Sequence, residues 1–264
     1  MLKITFLTLF PEAFESFLTN SIIKRAISKE VVEFKVINIR DFTLDKHHRV
    51  DDRPVGGGAG LIMKMQPVVD SLRCASSSKS KKILLSPHGQ TFTQEKAKEL
   101  SKEEDIVLIC GHYEGIDSRI DNYIDEKISL GDFILTGGEL ASQVIADSIT
   151  RLLDGAITSE STEEESFNDG LLEYPQYTLP YDYEGYKIPQ ILFSGNHEAI
   201  KRYRKREQFK LTRTYRKDLF DKYKFTKQEL KILKELDNNE LSKLELRALE
   251  KGKRFLKEEE KLST

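Results

Sequence analysis

The chain has 264 residues, 38% of them hydrophobic and 33% charged, with a formal net charge of −2 at pH 7. Such a composition excludes a wholly disordered chain and a uniformly basic nucleic-acid coat, and the length suits one large domain or two modest ones, of which we expect two. No stretch approaches the roughly 18 consecutive apolar residues of a membrane helix. The apolar start Met1 to Phe10 is broken by Lys3 and runs into Pro11 and Glu12, which is not the pattern of a signal peptide. Cys74 and Cys110 stand in no metal spacing, so we expect neither a disulfide framework nor a zinc site, and a reducing, cytoplasmic setting.

In chain order, Lys3 to Leu9, Val31 to Ile39, Lys82 to Ser86, Ile106 to Cys110 and Tyr123 to Ser129 read as strands. Between them Pro11 to Lys29, Pro67 to Ala75, Gln94 to Leu100 and Gly138 to Leu153 read as helices. Nearly continuous apolar strands separated by helices predict an α/β domain with a mostly parallel sheet covered on both faces, over residues 1–158. In its last helix Leu140, Val144, Ile145, Ile149 and Leu152 recur at three-to-four-residue spacing and predict one buried stripe. Small and acidic residues then crowd the next stretch, which reads as a flexible acidic linker over 159–170. A small, mainly helical domain is expected over 171–237, opening with an irregular segment, Tyr174 to Pro189, that holds three prolines and five tyrosines. From Lys201 to Lys231 thirteen Lys or Arg face four acids, an excess of nine positive charges over 31 residues, which is a polyanion-binding signal. The charged tail, 238–264, keeps Leu241, Leu244, Ala248 and Phe255 near helical spacing and predicts a peripheral helix.

Four segments concentrate residues that let backbone approach a ligand: Gly56 to Gly60, Ser86 to Gly89, Cys110 to Gly115, and Gly131 to Glu139 (GDFILTGGE). The last three follow predicted strands. Ligands of open α/β sheets bind beyond the carboxyl ends of the strands, so three such loops can build one pocket for a small flat cofactor; each taken alone is equally a glycine-rich turn. No G-x-x-x-x-G-K-[ST] loop and no G-x-G-x-x-G after the first strand occurs, so the usual phosphate cradles of NTPases and dinucleotide enzymes are missing. The five histidines are scattered, in no metal spacing.

Asp51-Asp52-Arg53-Pro54 with the Gly56 to Gly60 loop, CGHYEGID, GDFILTGGE, and YPQYTLP with LFSGNHEAI resemble the bacterial tRNA (guanine-N1)-methyltransferases, in the family's order and over roughly residues 1–235. The resemblance implies a trefoil-knotted methyltransferase domain, a homodimer, and S-adenosylmethionine bound within the knot. It implies cofactor contacts at Leu85, Pro87, Gly111, Tyr113, Glu114, Leu130, Gly131, Asp132, Phe133, Ile134, Leu135, Gly137 and Gly138. It further implies guanine-37 of tRNA, beside the anticodon, as the methyl acceptor, and magnesium as an aid with no ligand cluster to mark its site.

Guanine N1 carries a proton, so methylation there needs a base and a cation to hold charge at O6. By resemblance the base is Glu165, where the family often has aspartate, with Glu164 and Glu173 as alternatives, and the cation is Arg151. An extruded guanine needs a pocket, to which the resemblance assigns Asp52, Arg53, Gly57 and Gly58. Lys201, Arg202, Arg206 and Arg213 are expected to meet phosphates, and Tyr203 and Tyr215 to stack on bases. Three other readings stay open: a non-catalytic RNA-binding protein, methyl transfer to a ribose 2′-oxygen within the same knotted superfamily, and a nucleotide-binding α/β enzyme with an unusual phosphate loop.

Overall fold

A computed structural model describes residues 1–157 and 165–262, with the side chains of 258–262 left aside. Its first strand, β1 (Leu2–Thr8), is buried at six of seven positions, as a strand inside a sheet covered on both faces must be. After it come α1 (Glu15–Thr19), α2 (Ser21–Ser28), β2 (Val32–Asn38), the short antiparallel pair β3 (Asp51–Asp52) and β4 (Ile62–Met63), and α3 (Met65–Ala75). Then follow β5 (Ser80–Thr91), α4 (Gln94–Leu100), β6 (Asp105–Cys110), β7 (Glu126–Ser129) and α5 (Glu139–Thr150). The main sheet has the order β2-β1-β6-β5-β7, and every pairing in it is parallel. Alternation along the strands divides the core: Phe6 and Leu108 pack with Phe14, Ile145 and Ile149 on one face, and Leu7 and Ile109 with Val68 and Leu72 on the other. At the edge, Glu33 and Lys35 of β2 point to solvent, the charged decoration that discourages further strand pairing.

Three expectations change at the level of packing. The helix read over 11–29 is a 3-10 turn and two short helices, because Asn20 is extended (φ −96°, ψ 139°) and Ser21 has φ +33°. Polar Thr19, Asn20 and Ser21 give the backbone alternatives to continued helix, and the Thr19 hydroxyl donates to the Glu15 carbonyl at 2.8 Å. The strand read as Lys82 to Ser86 extends to Thr91 through a bulge, since Leu85 and Gln90 both register with Ile128 of β7. In α5 the buried stripe is Ala141, Ser142, Ile145, Ala146 and Ile149, while Leu140 and Val144 are 59% and 47% exposed. Both sets share the helical period; at about 100° per residue the two outer positions fall on the neighbouring flank.

The chain separates into two compact units, Met1–Thr162 and Glu163–Thr264. Residues 158–164, with most of the acidic stretch and Glu164, lie outside the described residues. The second unit holds a hairpin, β8 (Asp182–Tyr183) and β9 (Tyr186–Lys187), then α6 (His197–Tyr215), α7 (Lys217–Phe220), α8 (Lys227–Asp237) and α9 (Lys243–Leu262). Asn196 caps α6 by accepting from the Ala199 amide at 3.1 Å, and Thr226 with Glu229 forms a capping box on α8. Leu171, Phe209 and Ile232 are buried among Phe220, Tyr223 and Phe225. The tail helix α9 is no peripheral appendage. Ala248 and Leu256 are buried, and Gly252 lies so close to the Gln190 carbonyl that a Cβ there would overlap it.

Candidate active site

Two of the glycine-bearing loops leave the carboxyl ends of β6 and β7, the strands on either side of β5, and hydrogen bonds tie them together, whereas the third, Ser86 to Gly89, is the bulge within β5. The Gly138 amide donates to the Gly111 carbonyl at 2.9 Å, and His112 bridges Gly137 in antiparallel fashion. A Cβ on Gly138 would stand 2.7 Å from Cys110 Cα, so only glycine lets these two loops meet at that distance. The fourth loop joins them: the Glu114 amide donates to the Leu61 carbonyl at 3.0 Å and the Met63 amide to that of Gly115 at 2.9 Å. Gly60, with φ +78°, is pressed against the Glu114 side chain, a site where any side chain would be both strained and obstructed.

The residues expected at the cofactor differ in exposure. Leu85 and Gly138 are buried; Gly111, Leu130, Gly131, Leu135 and Gly137 are half-buried; Pro87, Tyr113, Glu114, Asp132, Phe133 and Ile134 are exposed. Phe133 and Ile134, at 55% and 80% exposure, are not core residues, whereas Leu135 does pack against the core. Tyr113 has φ +59°, a left-handed conformation that bulky residues adopt chiefly where function over-determines the backbone. At Gly111 the nearest atoms to an added Cβ are Ile116 Cγ1 at 3.6 Å and the Leu85 carbonyl oxygen at 4.0 Å. The protein itself would therefore tolerate a methyl there.

Beneath the loops lies a polar cluster that sequence reasoning left without a role. Glu139, 8% exposed, opens α5 and accepts from the Thr8 hydroxyl at 2.7 Å. Its carboxylate at the helix N-terminus complements the dipole, and it also abuts Gly137 together with the His112 ring. His112 is packed against Phe10, with ring centroids 4.8 Å apart. Burial and the nearby Glu139 carboxylate push the Cys110 thiol well above its ordinary range, so Cys110 is an inert packing residue rather than a nucleophile. The GGE motif carries Glu139 in plain sight, but only the fold reveals Thr8 as its partner.

The expected cation and bases sit on different units. Arg151 is the C-cap residue of α5, half-buried, with its amide donating to the Asp147 carbonyl at 3.1 Å. Glu165 and Glu173 belong to one closed turn of the second unit, in which the Ser166 hydroxyl accepts from the Glu173 amide at 2.9 Å. The Leu172 amide donates to Thr212 Oγ1 at 2.9 Å and anchors that turn on α6. Glu173 already accepts a hydrogen bond from Gln176. In the first unit Asp52 and Arg53 open the glycine loop; both are exposed, with Lys64 Nζ 3.7 Å from Asp52, and Gly57 and Gly58 follow at its exposed tip.

Residues 2–222 match the family model described as tRNA (Guanine-1)-methyltransferase TrmD. The chain belongs to this family. It is similar to the tRNA (guanine-N(1)-)-methyltransferase of Clostridium botulinum strain Hall, 55% identical over 238 residues that cover 89% of this chain and 99% of that protein. It is similar also to the enzyme of the same name from Clostridium perfringens strain SM101, 52% identical over 235 residues, 88% and 99% of the two chains.

For a member of the tRNA (guanine-1)-methyltransferase family the basic helix matters, and here the fold revises the expectation. Arg206 is 6% exposed, bonds the Glu240 carbonyl and lies 3.9 Å from Glu245. Arg202 is paired with Glu235 and Glu245, and Arg213 with Asp237 at 2.5 Å. Those acids come from outside the stretch whose charge excess was counted. Arg202 and Arg206 therefore serve the interior of the second unit, whereas Lys201 and Arg213 are exposed. Tyr203 packs against the Ile191, Ala199 and Ala248 cluster, whereas Tyr215 is 72% exposed. Among the described residues no helix is long and apolar enough to cross a membrane, and no three His, Cys, Asp or Glu side chains cluster as metal ligands.

Proposed function

We propose that this protein transfers a methyl group from S-adenosylmethionine to N1 of guanine-37 in tRNA, acting in the cytoplasm as a homodimer whose first unit is threaded as a trefoil knot. The observation that carries the reading is the hydrogen-bonded meeting of the Gly111 and Gly138 loops beyond the ends of parallel strands, in a chain of this family. The residues fit the cofactor. Leu85 and Leu135 offer apolar surface and Gly111 leaves room where a side chain would stand, which suits adenine and ribose, recognised by close packing and main-chain hydrogen bonds. Exposed Leu140 and Val144, one turn apart on α5, support burial of that flank by a second copy. The magnesium expectation acquires no ligand set.

When bound, S-adenosylmethionine supplies an electrophilic methyl carbon on a cationic sulfonium. Glu165 would accept the proton from guanine N1, leaving its electron pair to bond that carbon as the carbon–sulfur bond breaks and the sulfur departs as the neutral thioether of S-adenosylhomocysteine, while Arg151 would hold the negative charge that spreads to O6. A carboxylate is a weak base toward guanine N1, so removal of the proton depends on the cation acting in the same step. Asp52, Arg53, Gly57 and Gly58 form the wall for the extruded base, and Lys201 and Arg213 contribute to phosphate binding, Arg213 after exchanging its Asp237 partner.

Nucleoside mass spectrometry of an unmodified tRNA transcript with guanines at positions 36 and 37, incubated with the protein and S-adenosylmethionine, tests the reading. We expect 1-methylguanosine. A 2′-O-methylated product would transfer the proposal to ribose chemistry, and no product despite demonstrated cofactor binding would refute the substrate.

A further inference from the structure

Helix α9 lies wholly beyond residues 2–222, the part of the chain that the family model describes. Its inner face, carrying Glu245, Ala248, Gly252 and Leu256, is buried in the second unit. Glu245, 1% exposed, accepts from Arg202 Nε at 3.2 Å and from the Ser242 amide at 3.0 Å, and so locks α9 to α6. The outer face is of a different kind. Lys243, Arg247, Lys251, Arg254 and Lys257 are all exposed, and at 3.6 residues per turn they fall within an arc of roughly 120° that runs about 21 Å along the helix. Glu250 shares that arc but is held by Lys253 at 3.1 Å. Among the described residues none of the ion pairs engages Lys243, Arg247, Lys251 or Arg254, in contrast to α6, whose arginines are matched by acids.

Like charges three and four residues apart disfavour a helix. This one carries four such neighbouring pairs in a row on a face that covers nothing, and a polyanion relieves the repulsion. We propose that the outer face of α9 binds the sugar-phosphate backbone of the tRNA substrate, as a contact additional to those of α6. The inference rests on the reading of tRNA as the substrate. The occupant is a polyphosphate backbone because the face offers a row of spaced point charges along its centre, with exposed Leu246 and Phe255 only at its two flanks, and its length of about 21 Å spans several successive phosphates.

The test uses the full chain with Arg247→Glu, Lys251→Glu and Arg254→Glu together, and separately the three glutamine substitutions. Affinity for an unmodified tRNA transcript is measured across a potassium chloride series, with S-adenosylmethionine affinity and the melting temperature measured in parallel. Each phosphate contact contributes roughly 0.7 to 0.9 to the slope of log affinity against log salt. The neutral variant should lose about 2 from that slope and about tenfold or more in affinity at low salt. Its KM for tRNA should rise with kcat and cofactor affinity unchanged and the melting temperature equal to or above that of the wild type, since repulsion along the helix is relieved, and the charge-reversed variant should lose more tRNA affinity. A folded neutral variant that keeps the wild-type slope and KM overturns the inference while leaving the proposed reaction intact. A wild-type chain with no tRNA affinity overturns both.

Discussion

If Gly111 is the cofactor-facing glycine, adding one methyl there should harm binding without harming the fold. In Gly111→Ala the new Cβ meets Ile116 side-chain carbons at 3.6 and 3.8 Å and the Leu85 carbonyl oxygen at 4.0 Å, all ordinary contacts, and no left-handed backbone is required. The melting temperature should therefore change little. A methyl forced into a fitted ligand site costs about 1 to 3 kcal/mol, as overpacking does elsewhere, which corresponds to roughly 5- to 150-fold weaker S-adenosylmethionine binding. Gly138→Ala provides the contrast: its Cβ would lie 2.7 Å from Cys110 Cα and 3.1 Å from the Gly111 amide nitrogen, so the backbone must shift and stability and affinity should fall together. Titration calorimetry with S-adenosylmethionine and a thermal melt on both variants read the difference. A Gly111→Ala protein with wild-type melting and wild-type affinity would refute the placement of the cofactor beside this glycine.

Arg151→Ala should leave cofactor affinity within about twofold and lower kcat by roughly 10² to 10³, the range seen when one stabilising donor is removed, measured by single-turnover methyl transfer. Glu165→Gln should lower kcat by about 10² to 10⁴, whereas Glu173→Gln should cost only a few-fold; the reverse ranking would reassign the base. Glu245→Ala strands the buried Arg206 guanidinium without its carboxylate and should destabilise the second unit by about 3 to 5 kcal/mol, read as a lowered urea midpoint. Asp117 ends the CGHYEGID motif, and hydrogen bonds from the Arg119 side chain and amide hold its carboxyl at about 2. A depressed folded pKa means that its contribution to stability is present above the ordinary carboxylate value and is lost as the pH falls through about 2. A carboxyl-carbon NMR titration with a midpoint near 4 would contradict that hydrogen-bonded geometry.

How far local pattern carries is visible in particular elements. Runs such as Ile4 to Leu7 and Ile106 to Ile109 leave no polar face, and an apolar strand between helices has few homes other than a parallel sheet. The glycine motifs could be placed beyond strand ends because the strands themselves were legible. In α5, however, periodicity identified an amphipathic helix and not its buried side: Leu140 and Val144 share the period of Ile145 and Ile149, and only the sheet beneath decides which flank is covered. Glu139 was equally opaque, since its partner Thr8 is 131 residues away.

By itself the sequence determined the α/β class, the loops that meet at the site and the chemistry those motifs imply, because each depends on residues adjacent in the chain. The tertiary structure alone decided which charges remain to meet a substrate. Within Lys201 to Lys231 the count shows a large positive excess, yet Glu235, Asp237 and Glu245 fold back onto Arg202, Arg206 and Arg213, while the cations of α9 are left facing solvent. Coulomb attraction acts through space, and a window along the chain cannot register a partner that only folding brings within 4 Å.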